Sequence, residues 1–145
     1  MASIIEKQNQ ILHEFKNFDS WEPKYKHIIQ LGKNLQAMPE EHKTENFKLK
    51  GCQSQVWLFA KLNDDKKIEF LADSDALIVK GLIALLLRVY SNEFPTDILK
   101  NPPKFIHEID LGTHLSPSRA SGLNSMIKYI MNYALAFDLM QKSSK

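Results

Sequence analysis

Cysteine is nearly missing from this chain. Among its 145 residues there is one, Cys52. That excludes an internal disulfide and, without ligands from elsewhere, a thiolate-rich zinc or iron–sulfur site. His13, His27, His42 and His107 show no metal-ligand spacing with one another, so no metal centre is expected. An excess of one charge is missing too. The formal net charge is +2, both signs are spread along the chain and no basic stripe stands out, which argues against nucleic acid as a partner. There is no long apolar run. The most apolar stretch, residues 81–87, is flanked by Lys80 and Arg88 and falls far short of the roughly 20 residues a membrane span needs. Met1 to Lys7 lacks the charged and apolar regions of a secretory signal, so a cytoplasmic location is expected. No internal repeat or low-complexity linker interrupts the chain. What is present is ordinary for a globular protein: 43% apolar and 25% charged residues, enough for one domain over 1–145 with a real core.

The patterning predicts helices at both ends and strands between. Ile4, Ile11, Leu12, Phe15 and Phe18 recur at helical spacing over 3–18. Asp19 and Ser20 offer a cap for a second helix, with Pro23 in its first turn and Trp21, Tyr25, Ile28, Ile29, Gly32 and Leu35 as its stripe. Residues 40–46 read as a solvated loop. Strands are predicted at 47–50, 55–62 and 67–72. Val56, Leu58, Ala60 and Leu62 alternate with Gln55, Trp57, Phe59 and Lys61, and Asn63 to Lys66 is turn chemistry. The connections are too short for parallel crossovers, so a three-stranded antiparallel meander is expected. Asp73 and Asp75 read as the capping region of an almost wholly apolar helix over 76–90, in which Lys80 reaches outward to solvent. Pro95 opens a short helix, and Phe105 to Leu111 is a short amphipathic segment. Ser116-Pro117 opens a last helix with Leu123, Met126, Ile127, Ile130, Ala134 and Phe137 as its stripe, leaving residues 141–145 as a frayed tail. The fold class is therefore α+β, a three-stranded antiparallel sheet packed against helices.

The chain is organised around Lys50-Gly51-Cys52-Gln53-Ser54-Gln55-Val56-Trp57. A lone cysteine can be a small buried hydrophobe or a reactive thiol. Here it follows a glycine, which permits a tight bend, and precedes short polar side chains that leave room for an approaching partner. Lys48 and Lys50 stand near enough in sequence to favour a thiolate. Attack by a thiolate on a sulfur–sulfur bond is the reaction such a group performs best. Trp21, Trp57 and Tyr25 read as core side chains.

Residues 51–57 resemble the signature of the SufE family of sulfur acceptors. Two further blocks agree with it, Asp73 to Ile83 and His114 to Arg119 with Gly122-Leu123, and their order and spacing fit as well. The resemblance runs from about Phe15 to Ile130. It implies a SufE/IscU-like fold and a definite chemistry. A pyridoxal-phosphate cysteine desulfurase (SufS- or CsdA-like) holds sulfur as a persulfide, Cys52 accepts it, the desulfurase is stimulated, and a SufBCD-like scaffold receives the sulfur. The pyridoxal phosphate belongs to the partner, and no cofactor is expected on this chain, which is a carrier rather than an enzyme and a monomer or weak homodimer.

By the same resemblance Gly51, Gln53, Ser54 and Gln55 shape the cysteine loop. Asp75 helps to hold that loop, with helix capping as its other reading. Arg119 lies on the surface used by the desulfurase, where a solvated charge is the alternative. His114 is placed with it, as a proton-transfer or simply a structural group. A resting Cys52 is expected to tuck toward an apolar wall, Trp57 or the central helix. The alternatives are a CsdE-type acceptor serving another desulfurase and an IscU-like cluster scaffold, the latter disfavoured by the single thiol.

Overall fold

The computed structural model describes residues 3–50, 52, 54–109, 111 and 114–143. Helix α1 spans Ile4–Phe15. Ser3 caps it, its Oγ accepting from the Glu6 N–H at 3.1 Å and donating to the Glu6 carboxylate at 3.2 Å. Its inner face buries Ile4, Ile11 and Phe15 together with one polar residue, Gln8. Burying an amide demands partners, and Gln8 has them: Nε2 donates to the Pro102 carbonyl at 3.2 Å and Oε1 accepts from the Phe105 N–H at 3.3 Å.

Helix α2 spans Trp21–Lys33. Ser20 stands at its cap position, but its side chain makes no capping bond. The helix packs on α3, Leu77–Tyr90, along a seam where two glycines meet. A Cβ on Gly32 would lie 2.7 Å from the Gly81 nitrogen, and one on Gly81 would lie 2.1 Å from the Ile28 carbonyl oxygen. Backbone approaches this close admit no side chain. Helix α3 is buried almost all round and forms the centre of the core, with α1, α2, the sheet and the last helix packed about it.

Among the described residues the sheet has two strands where three are expected. Strand β1, Val56–Leu62, pairs antiparallel with β2, Ile68–Ser74, in the register Val56 to Ser74 through Leu62 to Ile68. The predicted first strand reduces to one bridge, Lys48 to Trp57, and the bond from the Leu49 N–H to the Val56 carbonyl at 2.8 Å. The cause is local. Residues Glu45–Phe47 form a 3₁₀ turn, and the cysteine loop begins at Lys50, so only two residues remain to pair. The other edge of the sheet carries a bridge between Ile68 and Glu93. Asn63 closes the hairpin by accepting the N–H groups of Asp65 and Lys67 on Oδ1, with Lys66 in the left-handed region at φ 68°.

Residues 40–46 are more ordered than a solvated loop. A 3₁₀ turn at Glu40–His42 stacks the His42 ring on Phe59, 3.9 Å between centroids, with Phe47 edge-on to both. Lys43 reaches the Asp73 carboxylate at 2.7 Å. Asp73 is therefore not a helix cap. It belongs to β2, opposite Trp57, and holds Lys80 as well at 3.4 Å, so Lys80 pairs instead of simply reaching to solvent. No side chain caps α3, whose cap residue is Ala76.

Helices α4, Pro95–Lys100, and α5, Phe105–Glu108, lead to α6, Pro117–Ser143. Ser116 starts α6 by accepting the Arg119 N–H on Oγ at 3.3 Å. The helix carries the expected tail with it as far as Ser143. Lys142 pairs with the nearly buried Asp138 at 3.0 Å, and the Ser143 hydroxyl donates to the Leu139 carbonyl. The architecture is α+β, with helices packed on an antiparallel hairpin.

Candidate functional site: a sheltered thiol on a tethered loop

The loop between Leu49 and Val56 is fixed at both feet. At the entry the Leu49 N–H donates across to Val56, and the Lys50 N–H donates to the Tyr129 hydroxyl of α6 at 3.3 Å. At the exit the Gln55 N–H donates to the Asp75 carboxylate at 3.0 Å, and the Asp75 N–H donates back to the Gln55 carbonyl at 3.2 Å. Asp75 is exposed, so both bonds are open to competition from water. Gly51 and Gln53, expected to shape the bend, lie outside the described residues. Ser54 is half-buried and lines the same cleft as the thiol.

Cys52 points inward. It is half-buried and packs against the core. The wall it meets is α6. Its Sγ sits 3.9 Å from where a Cβ on Gly122 would stand, and it shares a hydrogen bond with Ser125 one turn further on. Trp57 lies on the opposite face of β1, beside Asp73, and is not the wall. Burial pushes the Cys52 thiol above its ordinary range, and the Ser125 bond opposes this more weakly. At neutral pH the resting group is a thiol, not a thiolate. Neither Lys48 nor Lys50 contributes to that balance.

The thiol forms part of the wall of an open cleft of about 430 Å³ between α2, α3 and α6. Its rim is partly aromatic and cationic. The Arg119 guanidinium lies 5.9 Å from the centre of the Tyr25 ring, within cation–π range. Trp21 meets Tyr25 edge-on, and the exposed His114 stacks flat on Trp21 at 5.0 Å. Trp21 and Tyr25 are half-buried and pack against the core, and Tyr25 also lines the cleft. Across the cleft Leu77 is 62% exposed, unusual for a residue opening the most apolar helix. The structure thus brings Cys52, Ser54, Arg119 and, at the loop's foot, Gln55 with Asp75 to one region, with His114 further along the rim. The sequence alone does not mark Ser125, Tyr129 or Tyr25 as site residues. Gly122, Ser125 and Tyr129 follow one another at spacings of three and four, the mark of one helical face. A face made of glycine and hydroxyls in an otherwise apolar stripe is the signal that something polar packs there. Among the described residues no three of His, Cys, Asp or Glu converge to hold a metal. No described helix is long and apolar enough to cross a membrane.

Fold and site together define a class, a small α+β protein that presents one sheltered thiol on a short loop beside an open cleft. Residues 9–134 match the SufE family, described as an Fe-S metabolism associated domain. A SufE-like protein of Rhizobium meliloti (strain 1021) is 40% identical over 130 residues, covering 87% of this chain and 93% of that protein. The solution structure of a hypothetical protein from Thermus thermophilus has the same fold, with a TM-score of 0.74 at 21% identity over 90% of this chain and 95% of that one. The chain belongs to the SufE family, and with it to the sulfur carriers that work with cysteine desulfurases in iron–sulfur cluster assembly.

Proposed function

We propose that Cys52 is the acceptor through which this protein takes sulfur from a SufS- or CsdA-like desulfurase. The pyridoxal phosphate that frees the sulfur from cysteine resides on that partner. In the transfer the Cys52 thiolate attacks the outer sulfur of the desulfurase persulfide. A new sulfur–sulfur bond forms at Cys52, the donor's bond breaks, and the donor cysteine leaves as a thiolate. No net oxidation occurs, and the Cys52 proton goes to solvent or to the leaving group. The carrier then surrenders the sulfur to a SufBCD-like scaffold by the same exchange.

One observation supports this most: the only cysteine lies within the family-matched region, on a loop tied at both feet with its thiol turned inward. Turned in, the thiol is protonated and shielded, which suits a free carrier. Acting as nucleophile requires that it swing out and ionise. Among the described residues, the Asp75–Gln55 pair, the Tyr129 bond and the Cys52–Ser125 bond hold the loop beyond its short bridge, and a docking partner can replace them. In this reading Asp75 and Gln55 latch the resting loop, Ser54 stands beside the thiol in the cleft, and Arg119 with His114 offers the partner a cationic, aromatic rim.

Intact mass after incubation with a desulfurase and cysteine tests the proposal. A gain of one sulfur, roughly 32 Da, that dithiothreitol removes is expected in the native protein and absent in Cys52→Ser. A desulfurase stimulated equally by both proteins would overturn it.

A further inference from the structure

The sheet stops one strand short, and the gap has a definite shape. The Asp75 N–H bonds back to Gln55 at one end of the hairpin, and the Asn63 N–H bonds to Lys67 at the other. The odd-numbered residues of β1 therefore turn their backbone groups toward β2, and the even-numbered ones turn theirs outward. On that outer edge the Val56 carbonyl is met by Leu49, and Lys48 bridges Trp57. Further along, among the described residues, no group bonds to the backbone of Ala60 or Leu62. Burial falls off in the same direction. Val56 and Leu58 are buried, Ala60 and Leu62 are half-buried, and Lys61 between them is exposed. A row of unpaired N–H and C=O groups on an accessible edge is a template for another strand. Beside this end of the edge opens a groove of about 590 Å³, bordered by Leu62 and Lys66, Thr96 and the last turns of α6. Met140, 60% exposed, lines it.

A second copy fits this edge badly. The Lys48 bridge closes the positions opposite Trp57 and Leu58, which leaves Ala60 of one copy to pair with Leu62 of the other. That register sets Lys61 directly against its own counterpart, and like charges so placed are destabilising. The same lysine selects a foreign strand. Glu69 stands opposite Lys61 in the hairpin, yet among the described residues the two form no ion pair. At the groove Lys66 adds the same sign, Lys142 is already paired with Asp138, and the acids Asp64 and Asp65 lie beyond, in the turn. An acidic side chain crossing the middle of the edge would meet Lys61.

We infer that the outer edge of β1 at Ala60 and Leu62 is a docking site for an extended acidic segment of a partner protein, added to the sheet as its third strand. Strand geometry fixes the pattern the segment carries. Its middle residue lies over Lys61 on the outer face and is acidic. The two neighbours point to the α6 side and are apolar, one of them entering the groove at Leu62 and Met140. The site stands apart from the thiol. Ala60 lies about 13 Å along the strand from Val56, where the cysteine loop ends, so a segment held there leaves the loop and its cleft uncovered. It tethers the protein without touching Cys52 and does not depend on what that residue carries.

Amide hydrogen exchange and chemical shifts of the full chain, read by NMR, test this. The probe is the capped peptide acetyl-Thr-Val-Glu-Val-Thr-amide. One control carries Lys at the centre, and another has its three central amides N-methylated. In the free protein the Ala60 and Leu62 amides should exchange fast, while those of Phe59 and Lys61, bonded to β2, exchange slowly. The acidic peptide should shift the Ala60 and Leu62 signals saturably and slow their exchange about tenfold. The Lys peptide should bind about tenfold more weakly, and the N-methylated one should not bind. Lys61→Glu should reverse the preference between the charged peptides, and Lys61→Thr should abolish it. Protected Ala60 and Leu62 amides in the free protein would overturn the inference, as would an acidic peptide that leaves both signals unmoved at millimolar concentration. Equal binding of the acidic and basic peptides would remove the acidic partner. Shifts of the same two amides on concentrating the protein alone would give the edge to a second copy instead.

Discussion

At the scale of the residue, the chemistry turns on how a few atoms hold one proton. Burial raises the pKa of Cys52, so the closed loop binds that proton more tightly than an open, solvated one does. The closed state is therefore favoured up to the ordinary thiol range near about 8.5 and loses ground as pH climbs through and beyond it. The alkylation rate of the free protein should accordingly rise with a midpoint above that of a free cysteine, as stopped-flow labelling against pH would read. Ser125→Ala removes the one bond that favours the thiolate and should move the midpoint higher still. A lower midpoint would mean that the hydroxyl serves the neutral thiol. Asp75→Ala breaks one of the two bonds at the loop's exit, a loss of about 1 kcal/mol. Labelling of Cys52 at pH 7 should quicken several-fold with little change in melting temperature.

At the scale of the element, helices and turns were legible because their signals are local. The apolar spacing of α1 and α6, the run of α3, the Asn63 turn and the Ser116-Pro117 start each sit within a few residues of what they specify. The connection that carries Cys52 into β1 was legible for the same reason. What failed depends on distant partners. The segment before Lys50 has strand-like residues, yet the turn at Glu45–Phe47 and the early departure of the loop leave it a single bridge. Asp73 looks like a cap from its neighbours, but the strand runs on to Ser74, and the carboxylate meets Lys43, thirty positions earlier. Ser125 and Tyr129 could be placed under the loop only once α6 was known to pass there. The Gly32–Gly81 crossing gives an element-scale prediction. Gly81→Ala drives a methyl group into the Ile28 backbone and should lower stability by about 3 kcal/mol or more, measured by urea unfolding. An unchanged midpoint would mean that α2 and α3 separate freely.

At the scale of the whole molecule, a half-buried charge cluster joins α1, α2 and α3. Glu14 of α1 bonds to His27 of α2 and, at 2.7 Å, to Arg88 of α3. Burial works against the Glu14 carboxylate, but the bonds from His27 and Arg88 outweigh it and hold its pKa below the usual range. Asp73 is likewise lowered, with Lys43 and Ser74 overcoming its burial. Groups with depressed values stabilise the fold above their unfolded pKa, near about 4, and that support is lost as pH falls through the lower folded values. Unfolding midpoints should hold steady from pH 7 to 5 and then fall, and Glu14→Gln should flatten part of the fall.

The bond between Leu49 and Val56 sets a limit of another kind. It leaves six residues to rise and return between fixed posts, so the sulfur can travel outward by only about 10 Å. Such a short leash does not span two large machines at once. In the proposed role, sulfur taken from one partner reaches the next only with the whole body diffusing between them, and the time spent in transit then sets how well the sulfur has to be hidden.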